Sequence, residues 1–563
     1  MKPIDSAYEI HVKGLVQGVG FRPFIYRIAE ENDIKGWVAN RNNGVIIKII
    51  ASEHMARKFA GQIRDQAPVA SVIKDIQINQ SEFEEFNDFS IFQSKDQSDE
   101  ITEISPDIAV CYDCLEDMKM QPRRINYPFT NCTNCGPRFS IIKNLPYDRV
   151  NTTMDVFKMC DDCKEEYQDI EDRRFHAQPV SCNFCGPQYE FYQKGRVIRD
   201  VYKIVQEIKK LLYKGKIIAV KGMGGFHLMC DATNQRTVER LRELKDRDQK
   251  PFAVMFPDFE KVKEYNHVSN TEKELLLSWR RPIVLLRQKK ELNKAINSGL
   301  RTLGVMLPYM PFHFTLFEEI DLPAILLTSA NPSNEPIVKD NKEAFKKLGK
   351  ITDAFLIYDR EISNRTDDSV VQVIGENIQI LRRSRGYVPS PLDIEFDGSG
   401  ILATGAELKN TFAIGKGQQA ILSQHIGDLK NFETFDFYTN AINQFVKLFR
   451  VTPEIIVSDM HPDYLSTKYA RNYMASHSSQ RLGTKNVRPK WLKVQHHHAH
   501  IASCMAEHGL DEQVLGVALD GTGYGDDENI WGGEFFVCDL KDYKRFTHLE
   551  YMPMPGGDKA VLS

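Results

Sequence analysis

The chain has 563 residues, 42% of them hydrophobic and 27% charged, with a formal net charge of −4 at neutral pH. That length exceeds one core and predicts about three to five domains, while the near balance of charge gives no general argument for nucleic acid or an anionic membrane as partner. The first residues lack the apolar stretch of a signal peptide and no run of eighteen apolar residues occurs, so the expected location is the cytoplasm, with no membrane span.

Residues 1–95 form the first expected domain. Residues 8–13 alternate like a strand, Gly14-Leu-Val-Gln-Gly-Val-Gly20 follows, and the stretch from Phe21 has helical periodicity with a proline in its first turn. A strand, a glycine-rich loop and a helix N-terminus make an anion cradle, with Arg22 placed to fork two phosphate oxygens. Glycines in a tight strand–helix turn are the alternative. Further strands at 36–40, 45–51 and 71–79 and a helix at 52–66 complete a βαββαβ order, the ferredoxin-like split sandwich. The strings Gly14–Arg22 and Gly36-Trp-Val-Ala-Asn40 resemble the acylphosphatases. The resemblance implies that Arg22 binds the phosphoryl group, that Asn40 positions the attacking water, and that the substrate is a small acyl phosphate.

Eight of the eleven cysteines lie in four CxxC pairs within residues 105–192, namely Cys111/Cys114, Cys132/Cys135, Cys160/Cys163 and Cys182/Cys185. Two pairs about 15–20 residues apart have the spacing of a four-cysteine zinc site. Cys132-Thr-Asn-Cys135-Gly-Pro-Arg-Phe returns as Cys182-Asn-Phe-Cys185-Gly-Pro-Gln-Tyr, so the module is doubled and two structural zinc ions are expected. Whether each repeat binds its own ion or pairs are exchanged between repeats is left open by spacing alone. Four thiolates leave no open position for catalysis. The acidic run between Asp161 and Asp172 argues against nucleic-acid binding. His176 is read as a structural histidine, with a place along a substrate path as the alternative. Cys230, Cys504 and Cys538 are expected to be small buried hydrophobes.

Residues 198–388 read as an α/β domain. A helix at 201–213 leads to a buried strand at 215–220 and a glycine turn, Lys221-Gly-Met-Gly-Gly-Phe-His-Leu228, whose glycines would let backbone approach a ligand. No GxxxxGK[ST] loop exists. A basic stretch through Lys245, Arg247 and Lys250 and a Ser/Asn turn after an apolar strand suggest a triphosphate pocket; a solvated helix face is the bland alternative. Lys245-x-Arg247-x-x-Lys250-Pro251 with Thr328-Ser-Ala-Asn331 resembles the YrdC-like domain of threonylcarbamoyl-adenylate synthases. This implies that Lys245, Arg247, Lys250, Ser329 and Asn331 hold ATP, with Mg2+. Arg365, Asp367, Asp368 and Arg385 would surround the acyl head or magnesium, unless they form an internal salt bridge. Gly222 and Met306 depart from that family's pattern and suggest a smaller acyl group.

The last expected domain spans residues 396–563. Ile401-Leu-Ala-Thr-Gly-Ala-Glu407 looks like the opening of an actin/hexokinase-like lobe. His496 and His500 are four apart at the start of an apolar helix, which places both on one face at metal-binding distance. Residues 515–525 read as a buried strand ending in Asp520 and a glycine turn, with Asp520 as third ligand of a further divalent metal. These strings resemble the carbamoyl-transferring metal ATPases related to the tRNA threonylcarbamoyl transferase. That family continues beyond Met552–Ser563, so an incomplete transfer domain is expected.

The four motif sets in this order resemble the [NiFe]-hydrogenase maturation carbamoyltransferases. The resemblance implies a carbamoyltransferase that cleaves carbamoyl phosphate, forms carbamoyl-adenylate with ATP, and passes the carbamoyl group to the C-terminal cysteine of the maturation protein HypE, for cyanide ligand synthesis. An enclosed route between the first two sites would protect the unstable carbamate. Two rivals stand beside this reading: a tRNA threonylcarbamoylation enzyme, and a zinc-based nucleic-acid-binding regulator.

Overall fold

A computed structural model describes residues 6–41, 44–92, 103–247, 250–332, 335–477, 480–482, 485–487 and 489–551. The C-terminal stretch 552–563, on which the expected early stop rests, lies outside the described residues. Two compact units are present: one runs to Ser390 with two short later stretches, and the other holds most of the remaining chain. Among the described residues, no helix is long and apolar enough to cross a membrane.

The first unit opens with a five-stranded sheet in the order Val72–Ser81, Ser6–Leu15, Gly44–Ala51, Lys35–Arg41, Phe89–Ile91. Its neighbours are antiparallel except the last pair, which is parallel. Alternation along Ser6–Leu15 and Gly44–Ala51 puts Ile10, Val12, Val45, Ile47 and Ile49 beneath the helices Phe21–Glu31 and Glu53–Asp65, which supply Phe24, Ile25, Ile28, Phe59 and Ile63. Ser52 caps the second helix by accepting from Met55 N–H. The fifth strand, Phe89–Ile91, extends the expected βαββαβ order. This core continues into the cysteine module, whose Cys114, Cys132 and Cys135 belong to the same buried cluster.

Beyond the cysteines lies an eleven-stranded mixed sheet. Its centre, with Ala253–Met255, Ile325–Ser329, Phe226–Asp231 and Ile218–Lys221 side by side, is buried on both faces, as near-continuous apolar strands require. The hairpin Tyr189–Gln193/Arg196–Ile198 joins this sheet at one edge by pairing with Ala354–Tyr358, so the chain passes directly from the last CxxC knuckle into the α/β domain. The expected glycine loop is shorter than its motif, since residues from Phe226 onward already form a strand. Gly224 and Gly225 abut Thr366 and Ile337, so their lack of a side chain serves close packing within the protein rather than approach to a ligand.

The second unit contains a six-stranded sheet with Ile401–Ala403, Ile455–Asp459 and Lys490–Val494 parallel at one end, and a separate three-stranded sheet, Val514–Tyr524, Ile530–Cys538 and Tyr543–His548. The first strand of the latter corrects an expectation. It is not buried: Leu515, Val517 and Leu519 are exposed at 65%, 49% and 73%. The small residues between them face the helix His496–Glu507, where a side chain on Gly516 would strike Ile501. Asp520 therefore lies within the strand, not at its end. Cys504 is likewise exposed, because it falls on the outer face of that helix, whereas Cys230 and Cys538 are buried as expected.

Candidate active sites and the zinc module

The glycine-rich loop ends at Gly20, whose left-handed backbone (φ 75°) starts the helix Phe21–Glu31 with no side-chain cap. The first-turn N–H groups are thus left for an anion. Gln17 pins the loop by donating to the carbonyls of Arg41 at 2.6 Å and Gly44 at 2.7 Å. Arg22 and Asn40 are brought together with Gly18 and Gly20 around one cavity of about 160 Å³. Asn40 Oδ1 is buried with no hydrogen-bond partner among the described residues. Burial pushes the Arg22 guanidinium below its ordinary pKa, and the nearby Asp148 opposes that shift. The cavity's far wall comes from the cysteine module, including Tyr147, Phe175 and His176. None of Lys245, Arg247, Ser329 or Asn331 lines this cavity.

Each cysteine repeat gathers its own four thiols. In the first, Sγ separations are 3.7 Å (Cys111–Cys132), 3.8 Å (Cys132–Cys135) and 3.6 Å (Cys135–Cys114). In the second they are 3.8 Å (Cys160–Cys182), 3.8 Å (Cys182–Cys185) and 3.7 Å (Cys185–Cys163). A tetrahedron with Zn–S bonds of about 2.3 Å has edges of about 3.8 Å, so both sets fit a structural zinc ion. The pairing that spacing left open is therefore within each repeat. Cys111 and Cys160 are the N-cap residues of the short helices Tyr112–Met120 and Asp161–Gln168, whose dipoles favour thiolates.

The repeats also exchange arginines. Arg124 of the first grips Glu166 of the second through both terminal nitrogens (2.8 and 2.5 Å) and donates to Cys163 Sγ at 3.6 Å. In return, Arg174 of the second pairs with Asp117 of the first, and Arg173 donates to Cys114 Sγ at 3.2 Å. Arg124 and Arg174 each stand eight residues before the third cysteine of their repeat, and Asp117 and Glu166 each stand three after the second. That matching register was the sequence signal for this exchange. One further arginine joins the module to the cradle: Arg138 donates to Gly18 O at 2.9 Å and to the carbonyls of Cys132 and Thr133 at 3.1 and 2.8 Å.

In the α/β domain, Lys245 ends the amphipathic helix Gln235–Leu244. Its ammonium donates to Ser329 O at 2.5 Å and Asn331 Oδ1 at 3.0 Å, and Arg247 reaches Thr328 Oγ1 at 3.4 Å. The expected basic stretch and the Ser/Asn turn thus meet. Burial, reinforced by Arg247, lowers the Lys245 pKa to about 7. Burial and Arg382 lower that of Arg247 to about 10. The basic groups here lie close enough to disfavour one another's charge, and Asp367 only partly offsets this. Lys250 is exposed, and it is its carbonyl that accepts from Arg247, at 3.1 Å. The remaining expected residues are engaged with one another: Arg365 with Glu343 at 3.6 Å, Asp367 with Arg382 at 2.9 Å, and Asp368 with Arg385 at 2.7 Å and His227 at 3.1 Å. Burial would raise the Asp368 pKa, but Arg385 and His227 outweigh it and hold the carboxyl well below the ordinary range. Sequence reading missed Arg382 and His227 as members of this cluster.

In the second unit, His496, His500 and Asp520 offer ligand atoms within 4.8 Å of one another. His496 Nε2 lies 3.0 Å from Asp520 Oδ2, and the two histidine Nε2 atoms are 3.2 Å apart. His496, with burial opposing it, holds the Asp520 carboxyl below the ordinary carboxylate range, so the oxygen is an anion turned toward the two imidazoles. Asp459, at the end of the strand Ile455–Asp459, was missed. Its carboxylate sits 2.6 Å from His496 Nδ1, the partner that orients a metal-binding imidazole.

Family models match along the chain in the same order as the domains. The model described as acylphosphatase covers residues 8–91, the HypF finger covers 110–142 and 159–192, and the model described as telomere recombination covers 210–384. The HypF Kae1-like domain covers 397–507, and the second subdomain of the carbamoyltransferase Kae1-like domain covers 516–563. Carbamoyltransferase HypF2 of Cupriavidus necator is 40% identical over 99% of this chain and 71% of its own length. The chain belongs to the HypF carbamoyltransferase family. HypF of Synechocystis sp. is 42% identical over 98% of this chain and 71% of its own. A crystal structure of full-length HypF in the phosphate- and nucleotide-bound form has a TM-score of 0.91 and 48% identity, covering 100% of this chain and 72% of that one. Membership of this family makes the chain an enzyme with a carbamoyltransferase role in hydrogenase maturation, and sets aside both rival readings.

Proposed function

We propose that this HypF chain carries a carbamoyl group through three steps. At the front site, carbamoyl phosphate binds with its phosphoryl group on the loop N–H groups and Arg22. Water oriented by Asn40 attacks phosphorus, the bridging P–O bond breaks, and carbamate leaves with the electron pair. At the central site the carbamate oxygen attacks the α-phosphorus of ATP and expels pyrophosphate, giving carbamoyl-adenylate. Lys245, Arg247, Lys250, Ser329 and Asn331 hold the nucleotide there, with Arg365, Asp367, Asp368 and Arg385 around the acyl end and Mg2+. The acceptor is the C-terminal cysteine thiolate of HypE, which attacks the carbamoyl carbon and releases AMP. His496, His500 and Asp520 would hold a divalent cation at the last site, where such an ion supplies a positive charge for the adenylate phosphate.

The observation that carries this reading is the cradle itself. An uncapped helix N-terminus, a half-buried arginine and an unpartnered Asn40 oxygen converge on one small cavity, and a second cluster of basic groups around Lys245 and Arg247 follows in the same chain. ATP–pyrophosphate exchange tests it. Exchange is expected only with carbamoyl phosphate present, and is expected to be lost in Arg22→Ala and in Lys245→Ala. Exchange that persists in Arg22→Ala would show that the first site does not feed the second.

A further inference from the structure

The cradle accounts for the phosphoryl end of an acyl phosphate. Its acyl end must then face the opposite wall, which the cysteine module supplies. His176 stands on that wall in a left-handed backbone conformation (φ 55°), a region that histidine visits more readily than most residues but seldom. Several contacts hold it there. Its N–H donates to Tyr167 O at 3.0 Å, and its carbonyl accepts from Gln178 Nε2 at 3.0 Å. The ring stacks on Tyr167 with centroids 5.0 Å apart and leans on Phe175 at 4.3 Å. Among the described residues neither ring nitrogen has a hydrogen-bond partner, although every other polar group of the residue does. Burial, with Arg22 adding to it, takes the imidazole pKa down to about 4, so the ring is neutral near pH 7. A neutral imidazole presents one donor and one acceptor. Three other polar side chains on this wall are differently disposed. Gln178 Oε1 is taken by Arg149 N–H and the Tyr167 hydroxyl, and Tyr147 donates to Pro137 O. Asp148 is an anion that the Arg22 charge attracts.

We propose that His176 is the specificity residue of the front site, its unprotonated ring nitrogen accepting a hydrogen bond from an N–H at the acyl end of the substrate. A carbamoyl group carries that N–H donor. An acetyl group has none. The inference deepens the carbamoyl phosphate reading above and rests on it.

The test compares kcat/KM for carbamoyl phosphate and acetyl phosphate hydrolysis by the zinc-loaded full chain, wild type against His176→Asn. Asparagine tolerates the left-handed backbone but is too short to replace the ring. The wild type is expected to prefer carbamoyl phosphate, and the variant to lose about tenfold or more of that preference, with acetyl phosphate turnover within about threefold of wild type. Loss of both activities in equal proportion, or an unchanged ratio, overturns the assignment. Should His176→Asn not retain two zinc ions per chain, His176→Gly with added imidazole serves instead. Imidazole is expected to restore the carbamoyl phosphate preference, and failure to restore it in a folded chain overturns the assignment. A wild-type chain that hydrolyses neither compound refutes the front-site reading itself. A wild type that cleaves carbamoyl phosphate with the same preference as the variant refutes only the role of His176.

Discussion

Replacing Arg124 by methionine is expected to loosen the zinc site of the other repeat. Arg124 is wholly buried, and its guanidinium makes two bonds to Glu166, one to Gln121 Oε1 at 2.7 Å, one to Ser181 O at 3.3 Å and one to Cys163 Sγ. Breaking one side of a buried ion pair costs about 3–5 kcal/mol. Here Glu166 keeps Arg123 at 3.2 Å and Arg174 at 4.0 Å, so the loss falls at the lower end, about 3 kcal/mol. Removing an outer partner of a metal ligand weakens metal binding about 10–100-fold. The assay is chelator competition followed by cysteine alkylation and peptide mass analysis, which reports on each cluster separately. Arg124→Met should expose Cys160, Cys163, Cys182 and Cys185 at about tenfold lower chelator concentration than wild type, while Cys111, Cys114, Cys132 and Cys135 stay protected longer. Arg173→Gln should reverse the pattern through Cys114. Loosening confined to the first cluster in Arg124→Met, or protection unchanged in both, would refute the exchange as an energetic coupling.

Two further outcomes are expected at the other sites. Lys245 has a folded pKa of about 7 against an ordinary 10.5, so between those values the unfolded chain binds more protons and this lysine's cost to stability fades as pH rises. A bound triphosphate restores the charge, so ATP binding at pH 8 should take up a proton, visible by calorimetry in buffers of different ionisation enthalpy; absence of uptake in wild type, or the same uptake in Lys245→Met, would contradict this. Asp459→Asn should weaken Mn2+ binding by the zinc-loaded chain about 10–100-fold in calorimetric titration, because His496 loses the carboxylate that fixes its ring. Unaltered affinity would remove Asp459 from the site.

The features legible in the chain were local. The cradle, the CxxC spacing and the i, i+4 histidines are each written within a few turns of backbone, and the fold and family they implied are the ones found. Contacts closed by distant segments were not legible. Asp459 approaches His496 only because parallel strands bring Ile455–Asp459 beside Lys490–Val494, and no spacing records that. The run from Leu515 to Leu519 misled for a different reason. An uninterrupted apolar stretch implies burial on both faces, but here the small alternate residues meet the helix and the large ones face outward. For Asp368 and Arg385 the choice between an acyl-end role and an internal salt bridge was open in the chain, because the pairing with each other and with His227 is made by segments far apart in sequence.

The grip of Arg138 on both Gly18 and the Cys132 knuckle has an effect that reaches past zinc itself. A side chain added at Gly20 would run into the side chains of Asn134 and Thr133, so the phosphate loop is moulded against the knuckle that lies between Cys132 and Cys135. Under the proposed function, starving the cell of zinc would therefore blunt the opening hydrolysis before any nucleotide is consumed, and the chain would fall idle instead of burning ATP without product.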